Sequence, residues 1–471
     1  MPIVRSPHHL TFMVLMVSVG SFALLQSLVV PVLGQLEREF DTNQTTVTWV
    51  LTAYLLSASV CTPLLGRFGD VLGKRRMLVL TLVALSVGSL VAALSQTIEW
   101  LIFARALQGV GGGVLPLSFG IIRDEFPTEK MNSGLSIVAS LAAVGFGIGI
   151  VAAGPIVDLL DYHWLFWLPM ITTAVAALGA LIIVPESPVR TPGRIPLLPA
   201  ALLAAWLLTL LLGLSQGNHW GWGSVRVLAL FAGALVLAAA WILIETRVPV
   251  PLIDMRMMRR RGVWTANVVA GFVGFGVFAS FGFLPQFLQT PSEAGYGFSA
   301  TLTESGHLML PSAVASFLMG FMTARLVRVL GTRVVVMSGT LASAVGFASI
   351  ALWHDAAWQV FAAITLQGVG SGLVFSSLAS AVIAAVPPEQ TGVASGMNAN
   401  IRTIGGSVGS AVMAGVVTAR LGPTSLPVES GYVVGFAVLA AGMVIAAAGA
   451  AFIPRLPHEH SLARGIPGLN R

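Results

Sequence analysis

Charge is scarce in this chain: Asp, Glu, Lys and Arg make up 9% of its 471 residues, against 56% hydrophobic. A sequence with so little charge has no polar coat for a soluble core, so lipid must solvate it. Lysine is almost missing, with 2 residues against 23 arginines, a usage that points to a GC-rich bacterial genome and from there to a bacterial inner membrane. The lone cysteine, Cys61, excludes an internal disulfide and a thiolate metal cluster. No nucleophile elbow, phosphate loop or metal-ligand spacing is present, and the glycine cluster LQGVGGG lies within an apolar run and follows no strand. The chain is therefore read as a non-enzyme that needs no cofactor and no ATP. Its 25 basic residues exceed its 19 acidic ones, but the excess sits in short connections between apolar runs, which speaks for membrane topology and against nucleic acid.

What is abundant is long apolar runs. A hydrocarbon core about 30 Å thick takes ~20 helical residues to cross. Fourteen runs qualify, near 11–33, 46–65, 77–95, 100–122, 134–157, 164–184, 197–214, 225–245, 263–288, 304–324, 334–353, 357–385, 391–419 and 431–453. The first has the charged lead of a signal peptide but too long a core and no small-residue cleavage site, so it is expected to be retained. If the amino terminus is cytoplasmic, that side and the tails hold 20 of the 25 basic residues, and the other face holds Arg38, Arg226 and Arg420. This asymmetry predicts both termini inside.

An internal repeat organises these runs. GRFGDVLGKR at 66–75 recurs as ARLVRVLGTR at 324–333, and LQGVGGG at 107–113 returns as LQGVGSG at 366–372. A third echo pairs Pro127 and Glu129 with Pro387 and Glu389. Two matches at nearly one spacing indicate duplication. Helices 1–6 then correspond to helices 9–14, with 7 and 8 inserted. The expected fold is all-α and membrane-integral, with fourteen crossings: a six-helix bundle over 1–190, an inserted pair over 191–250 and a second bundle over 251–471. Parallel six-helix halves are a transporter architecture.

In GRFGDVLGKRR, Gly66, Gly69 and Gly73 allow a tight turn and close helix approach. Asp70 is suited to cap a helix start or to pair with Arg67, Lys74, Arg75 or Arg76, forming a charged latch between helices 2 and 3. The segment resembles the signature between helices 2 and 3 of the major facilitator superfamily, although Val71 stands where that signature has a basic residue. The second copy has Arg328 opposite Asp70, so only the first half can form the full latch.

FARALQGVGGG in helix 4 resembles the superfamily's arginine–glutamine–glycine motif, which implies a part for Arg105 in proton coupling. The residue also lies about five residues, ~7 Å, below the outer end, within reach of water by snorkelling. GFGIGIVAAG in helix 5 corresponds to the antiporter motif through Gly145, Gly149 and Gly154, with Ile150 where a proline is expected; the same spacing serves ordinary helix packing. The inserted pair and HWGWGS at 219–224 resemble the fourteen-helix drug:proton antiporters. TESGHLMLP at 303–311 and NIRTIGGSVGSAV at 400–412 extend the match over nearly the whole chain. That branch often carries an aspartate in helix 1, where this chain has Phe22. Trp220 and Trp222 are expected at the outer headgroup level.

Ionisable residues inside a membrane are functional candidates by default. Arg402 is the deepest, ~16 Å into helix 13. No Asp or Glu lies mid-helix. Asp158 and Glu304 lie near outer ends, with His307 one turn beyond Glu304, and partial desolvation there would suit them to carry protons. A cavity with Arg402, Gln26, Gln286 and Asn398 would favour neutral, anionic or lipid-like solutes.

The reading is a monomeric transporter that exports lipophilic compounds in exchange for protons by alternating access. Asp70 gates the cytoplasmic side, Arg105 and Glu304 take part in coupling, with Asp158 and His307 as further candidates, and Arg402 lines the cavity. Movement of lipids or envelope precursors between leaflets, and a sensor that has lost transport, are the competing readings.

Overall fold

The computed structural model describes residues 8–187, 196–249, 251–420 and 426–454. The tail arginines, and the expected domain boundaries at 190, 191 and 250, lie outside them. In a bilayer each backbone N–H and C=O must find its partner within the segment, so apolar runs become helices. The first half contains α1 (His8–Glu39), α2 (Gln44–Leu72), α3 (Lys74–Ala93), α4 (Ile98–Glu125), α5 (Thr128–Leu159) and α6 (Trp164–Ile182). The inserted pair is α7 (Leu197–Trp220) and α8 (Val225–Glu245). The second half contains α9 (Arg261–Gln289), α10 (Leu302–Leu330), α11 (Thr332–Leu352), α12 (Ala357–Ala384), α13 (Thr391–Val417) and α14 (Glu429–Ala450). Short 3-10 turns interrupt α1 at Val30–Val32 and α4 at Gly109–Gly113.

Among the described residues, thirteen helices are long and apolar enough to cross a membrane. The fourteenth expected crossing, α13, is 27 residues long but is not one of the thirteen, because Asn398, Asn400, Arg402 and several glycines and serines dilute its apolar content. It also joins the two halves: it packs along α9 and against α2.

The duplication is visible in the backbone. Gly73 ends α2 at φ +116° and Gly331 ends α10 at φ +84°, a left-handed region open to glycine without strain. A Cβ on Gly88 would lie 2.9 Å from Gln108, and one on Gly346 would lie 3.0 Å from Gln367, so α3 seats on α4 as α11 seats on α12. Two of the charges singled out are not duplicated, since Arg328 stands opposite Asp70. At the repeat spacing of 259, Arg105 falls opposite Ile364.

The halves meet along two seams. At one, α5 packs on α10 along its length: Gly147 faces Ala313, Gly154 faces Thr303, and Ser140 is hydrogen-bonded to Ser376 of α12 at 2.6 Å. At the other, α2 meets α13 closely only toward its Gly66 end, where a Cβ on Gly66 would stand 2.5 Å from the Gly392 carbonyl oxygen. Further along, the two helices diverge around a cavity and α7 lies across the gap. Its Ser215 hydroxyl pairs with Thr52 of α2 at 2.9 Å, whereas its Leu203 and Leu207 join the second half's core with Trp241 of α8. Leucines and valines on α3, α6, α8 and α11 point outward, as lipid-facing surfaces do.

Candidate functional site

Three groups of residues surround the path between the halves. The first is the Asp70 cluster. Asp70 lies in the last turn of α2, because the helix runs through Gly66 and Gly69 and turns only at Gly73. It is thus not a helix cap, and Gly66 and Gly69 serve close packing in place of a turn. Asp70 is buried and accepts a hydrogen bond from the Val393 N–H of α13 at 3.2 Å. Lys74, also buried, sits 3.9 Å from Asp70 and donates to Asp124 at 2.6 Å. Arg67 is buried within electrostatic range of Asp70 and of Glu245 at the end of α8. Arg75 reaches away, donating to the Leu181 carbonyl at 2.5 Å and, from its backbone, to Glu186 at 3.2 Å.

Sequence reasoning missed the other half of this closure. Arg123 donates to the Val386 carbonyl at 2.8 Å, the Pro387 carbonyl at 3.3 Å and Thr391 Oγ1 at 2.6 Å, so one side chain of the first half holds three acceptors of the second. Asp124 beside it completes the Lys74 pair. Both stand in RDEFP just before the Pro127 echo, and adjacent opposite charges at the end of an apolar run were the available signal. Glu245 was missed too. Its buried carboxylate accepts from Trp241 Nε1 at 3.2 Å and from the Leu252 and Ile253 N–H groups at 2.9 and 3.2 Å.

The second group is the cavity. A chamber of about 470 Å³ between α2, α7, α9 and α13 has the size of a drug-sized ligand site. It runs from Gln26 and Tyr54 to Asn218, His219 and Gln286 at the end remote from Asp70. A smaller chamber of about 80 Å³ lies deeper, lined by α1, α4 and α5 and by their counterparts α9, α12 and α13. Gln26, Asn398 and Arg402 line it, with Phe22. The two chambers share Gln26, Phe146, Phe278 and Phe281. Among the described residues, neither is lined by a carboxylate.

The third group comprises the expected coupling residues, which the structure does not bring together. Arg105 is wholly buried and does not snorkel: it donates to the carbonyls of Val50 at 3.2 Å and Leu25 at 3.4 Å and to Gln108 Oε1 at 2.7 Å, with its guanidinium 4.4 Å from the centre of the Tyr54 ring. Glu304 and His307 are exposed, so the expected partial desolvation is not found. Thr301 and Glu304 form a capping box on α10, in which Glu304 accepts from the Thr301 N–H at 2.8 Å. Asp158 is also exposed and accepts from Thr303 at 3.3 Å across the α5–α10 seam. Of the helix-5 glycines, Gly145 and Gly149 pack on α1, and Gly154 packs on α10.

The α7 wall can be tested directly. In a Cys61→Ala background, Thr52→Cys with Ser215→Cys is expected to form a disulfide on mild oxidation, read as a gel shift that dithiothreitol reverses. No crosslink in folded protein would remove α7 from the cavity.

Two six-helix bundles facing one another across a central chamber define a secondary-transporter fold. The chain belongs to the Major Facilitator Superfamily, whose profile matches residues 15–410 and 268–470. It is 27% identical over 380 residues to the Multidrug transporter protein MdtP of Bacillus subtilis (strain 168), covering 80% of this chain and 69% of that protein. It is 24% identical over 423 residues to the Tetracenomycin C resistance and export protein of Streptomyces glaucescens, covering 88% and 76%. The crystal structure of the human organic anion transporter MFSD10 (TETRAN) is similar with a TM-score of 0.69 at 17% identity, over 95% of this chain and all of that one. That likeness is one of fold.

Proposed function

We propose that the protein is a drug exporter of a bacterial inner membrane, moving small lipophilic compounds outward in exchange for protons by alternating access. The carrying observation is the contrast between the two ends: Asp70, Arg123 and Gly66 hold the halves together at one, while the large chamber extends to the other. With both termini cytoplasmic, as the basic residues imply, this is an outward-facing arrangement. The relatives named for multidrug transport and for tetracenomycin C resistance and export support the direction. Export of small compounds is favoured over lipid movement because α5 and α10 pack along their length and α7 covers the α2–α13 gap. The two bundles, 1–190 and 251–471, form a complete pathway in one monomer.

In this reading the proton acts at the latch. Asp70 and Asp124 are the carboxylates that closure buries against Lys74. Protonating Asp70 discharges its pairing with Lys74 and weakens its hold on the Val393 N–H, which loosens α2 from α13. Glu304, His307 and Asp158 lie exposed and bear no such relation to closure. The test is proton flux into proteoliposomes, recorded with a pH dye while lipophilic drugs are added. Wild type and Glu304→Gln are expected to show substrate-dependent flux, and Asp70→Asn to lose it. Flux lost in folded Glu304→Gln would move coupling to Glu304, and no flux from folded wild type with any compound would overturn proton exchange.

A further inference from the structure

Two arginines lie in the membrane region, and their surroundings differ: Arg105 is wholly buried, whereas Arg402 is half-buried. Arg105 is held by two carbonyls and an amide oxygen. Arg402, at the deep chamber, has no such set. Its Nε is buried without a hydrogen-bond partner, and no ion pair involves it among the described residues. Its guanidinium lies 5.0 Å from the centre of the Phe375 ring, a contact that orients a cation without neutralising it. A charge taken partly out of water without a partner is costly. The chain nevertheless holds this one rigidly, because α13 is pressed on α9 where Gly274 meets the Arg402 backbone and Gly405 meets Gly271.

We infer that Arg402 is an anion-binding site, and that it takes the carboxylate-type head of an aromatic amphiphile whose body lies in the larger chamber. This assigns a substrate class within the export reading and rests on it. The deep chamber, about 80 Å³, holds several water-sized groups, enough for a small anionic head. Ser395, on the same wall, has a buried hydroxyl without a partner and offers a second donor. Between the chambers, Phe146 stands 4.8 Å from Phe281 and 6.1 Å from Phe278, centre to centre. An aromatic body attached to a head on Arg402 must pass these rings, and they offer it stacking faces. Besides Arg402, the titratable groups facing the chambers among the described residues are the Tyr54 phenol, in the larger one, and His219, at the far mouth. The histidine adds positive charge or none. A lipophilic cation finds no carboxylate in either chamber.

The test uses purified protein in detergent without a gradient, so that failure of proton exchange leaves it intact. Equilibrium binding of radiolabelled 2-naphthoate is compared with 2-naphthylmethylammonium, which keeps the ring and inverts the charge. Wild type is expected to bind the anion at least ~tenfold more tightly. Arg402→Gln should bring the two within about threefold, and Arg402→Lys should keep part of the preference, since the charge remains while the planar fork is lost. Ser395→Asp supplies a carboxylate beside Arg402 and should weaken anion binding even if Arg402→Gln fails to fold. Equal binding of both ions by wild type, or an anion preference that survives Arg402→Gln or Ser395→Asp in folded protein, would overturn the assignment.

Discussion

Gly66→Leu is expected to abolish drug export while leaving the protein folded in the membrane. The Gly66 Cα faces the Gly392 backbone with no room for a Cβ, which would stand 2.5 Å from a carbonyl oxygen and 2.8 Å from its carbon. Neither atom belongs to a flexible side chain that can swing aside. A leucine must push α2 from α13, and the displacement also breaks the Val393 hydrogen bond to Asp70. Overpacking costs about 1–3 kcal/mol, and a bond to a charged acceptor contributes about 1.5–3 kcal/mol. Together these come to about 2.5–6 kcal/mol, the upper part of which reaches the ~5.5 kcal/mol that reverses a two-state equilibrium from 99:1 to 1:99. The penalty applies only to the arrangement closed at the Asp70 end, so folding survives and switching fails. Export from cells should drop at least ~30-fold, and a cysteine at Val393 should become reactive to a maleimide added from the cytoplasmic side. Normal export would mean that the observed closure is not part of the cycle.

The second large effect is expected at Arg105, and in a different observable. Arg105→Leu removes one side chain that serves three acceptors on α1, α2 and α4 and lies over the Tyr54 ring. Gln108 then keeps only its bond to Ser89. A hydrogen bond to a charged group contributes about 1.5–3 kcal/mol, and with partial relaxation a loss near ~3 kcal/mol, roughly a hundredfold in the folding equilibrium, is expected. Arg105→Lys should be nearly as damaging, because an ammonium cannot span three acceptors at guanidinium geometry. Both variants are expected to unfold at clearly lower temperature in detergent. If Arg105→Lys unfolds with wild type and yet transports nothing, the arginine belongs to the proton path, as its motif implies, and its packing role is secondary.

The crossings were legible because lipid leaves the backbone few choices, and the duplication because the turns at Gly73 and Gly331 keep their glycines. What escaped reading depends on long-range partners. Asp70 reads as a loop residue until α2 is seen to continue past Gly69, and its Val393 partner is 323 residues away. Arg123 binds residues more than 260 positions distant. Glu304 lacks the partial desolvation expected of it, and the signal was present: Thr301 and Glu304 have the spacing of a capping box, which places the carboxylate at a helix start. Ser215, Asn218 and His219 share one face of α7 by their spacing, a polar edge on an apolar helix that a search for charge alone passes over. Arg402 was readable as deep and, with no Asp or Glu mid-helix, as lacking an acid partner, but its place over the Phe375 ring at the smaller chamber was not, since that depends on the packing of α12 against α13.

The inserted helices are fastened to both moving bodies. Ser215 is bonded to the first half, Leu203 and Leu207 are sunk in the core of the second, and Glu245 grips the Leu252–Ile253 segment that leads toward α9. A span anchored at both ends acts as a stay across a hinge. In the proposed cycle it would limit the stroke, because the mouth could widen only as far as this hairpin stretches or slides. The upper size of a transported molecule would then be set by a part of the chain outside the two bundles, and lengthening the connection between α8 and α9 is expected to change the size limit without altering any residue that touches the solute.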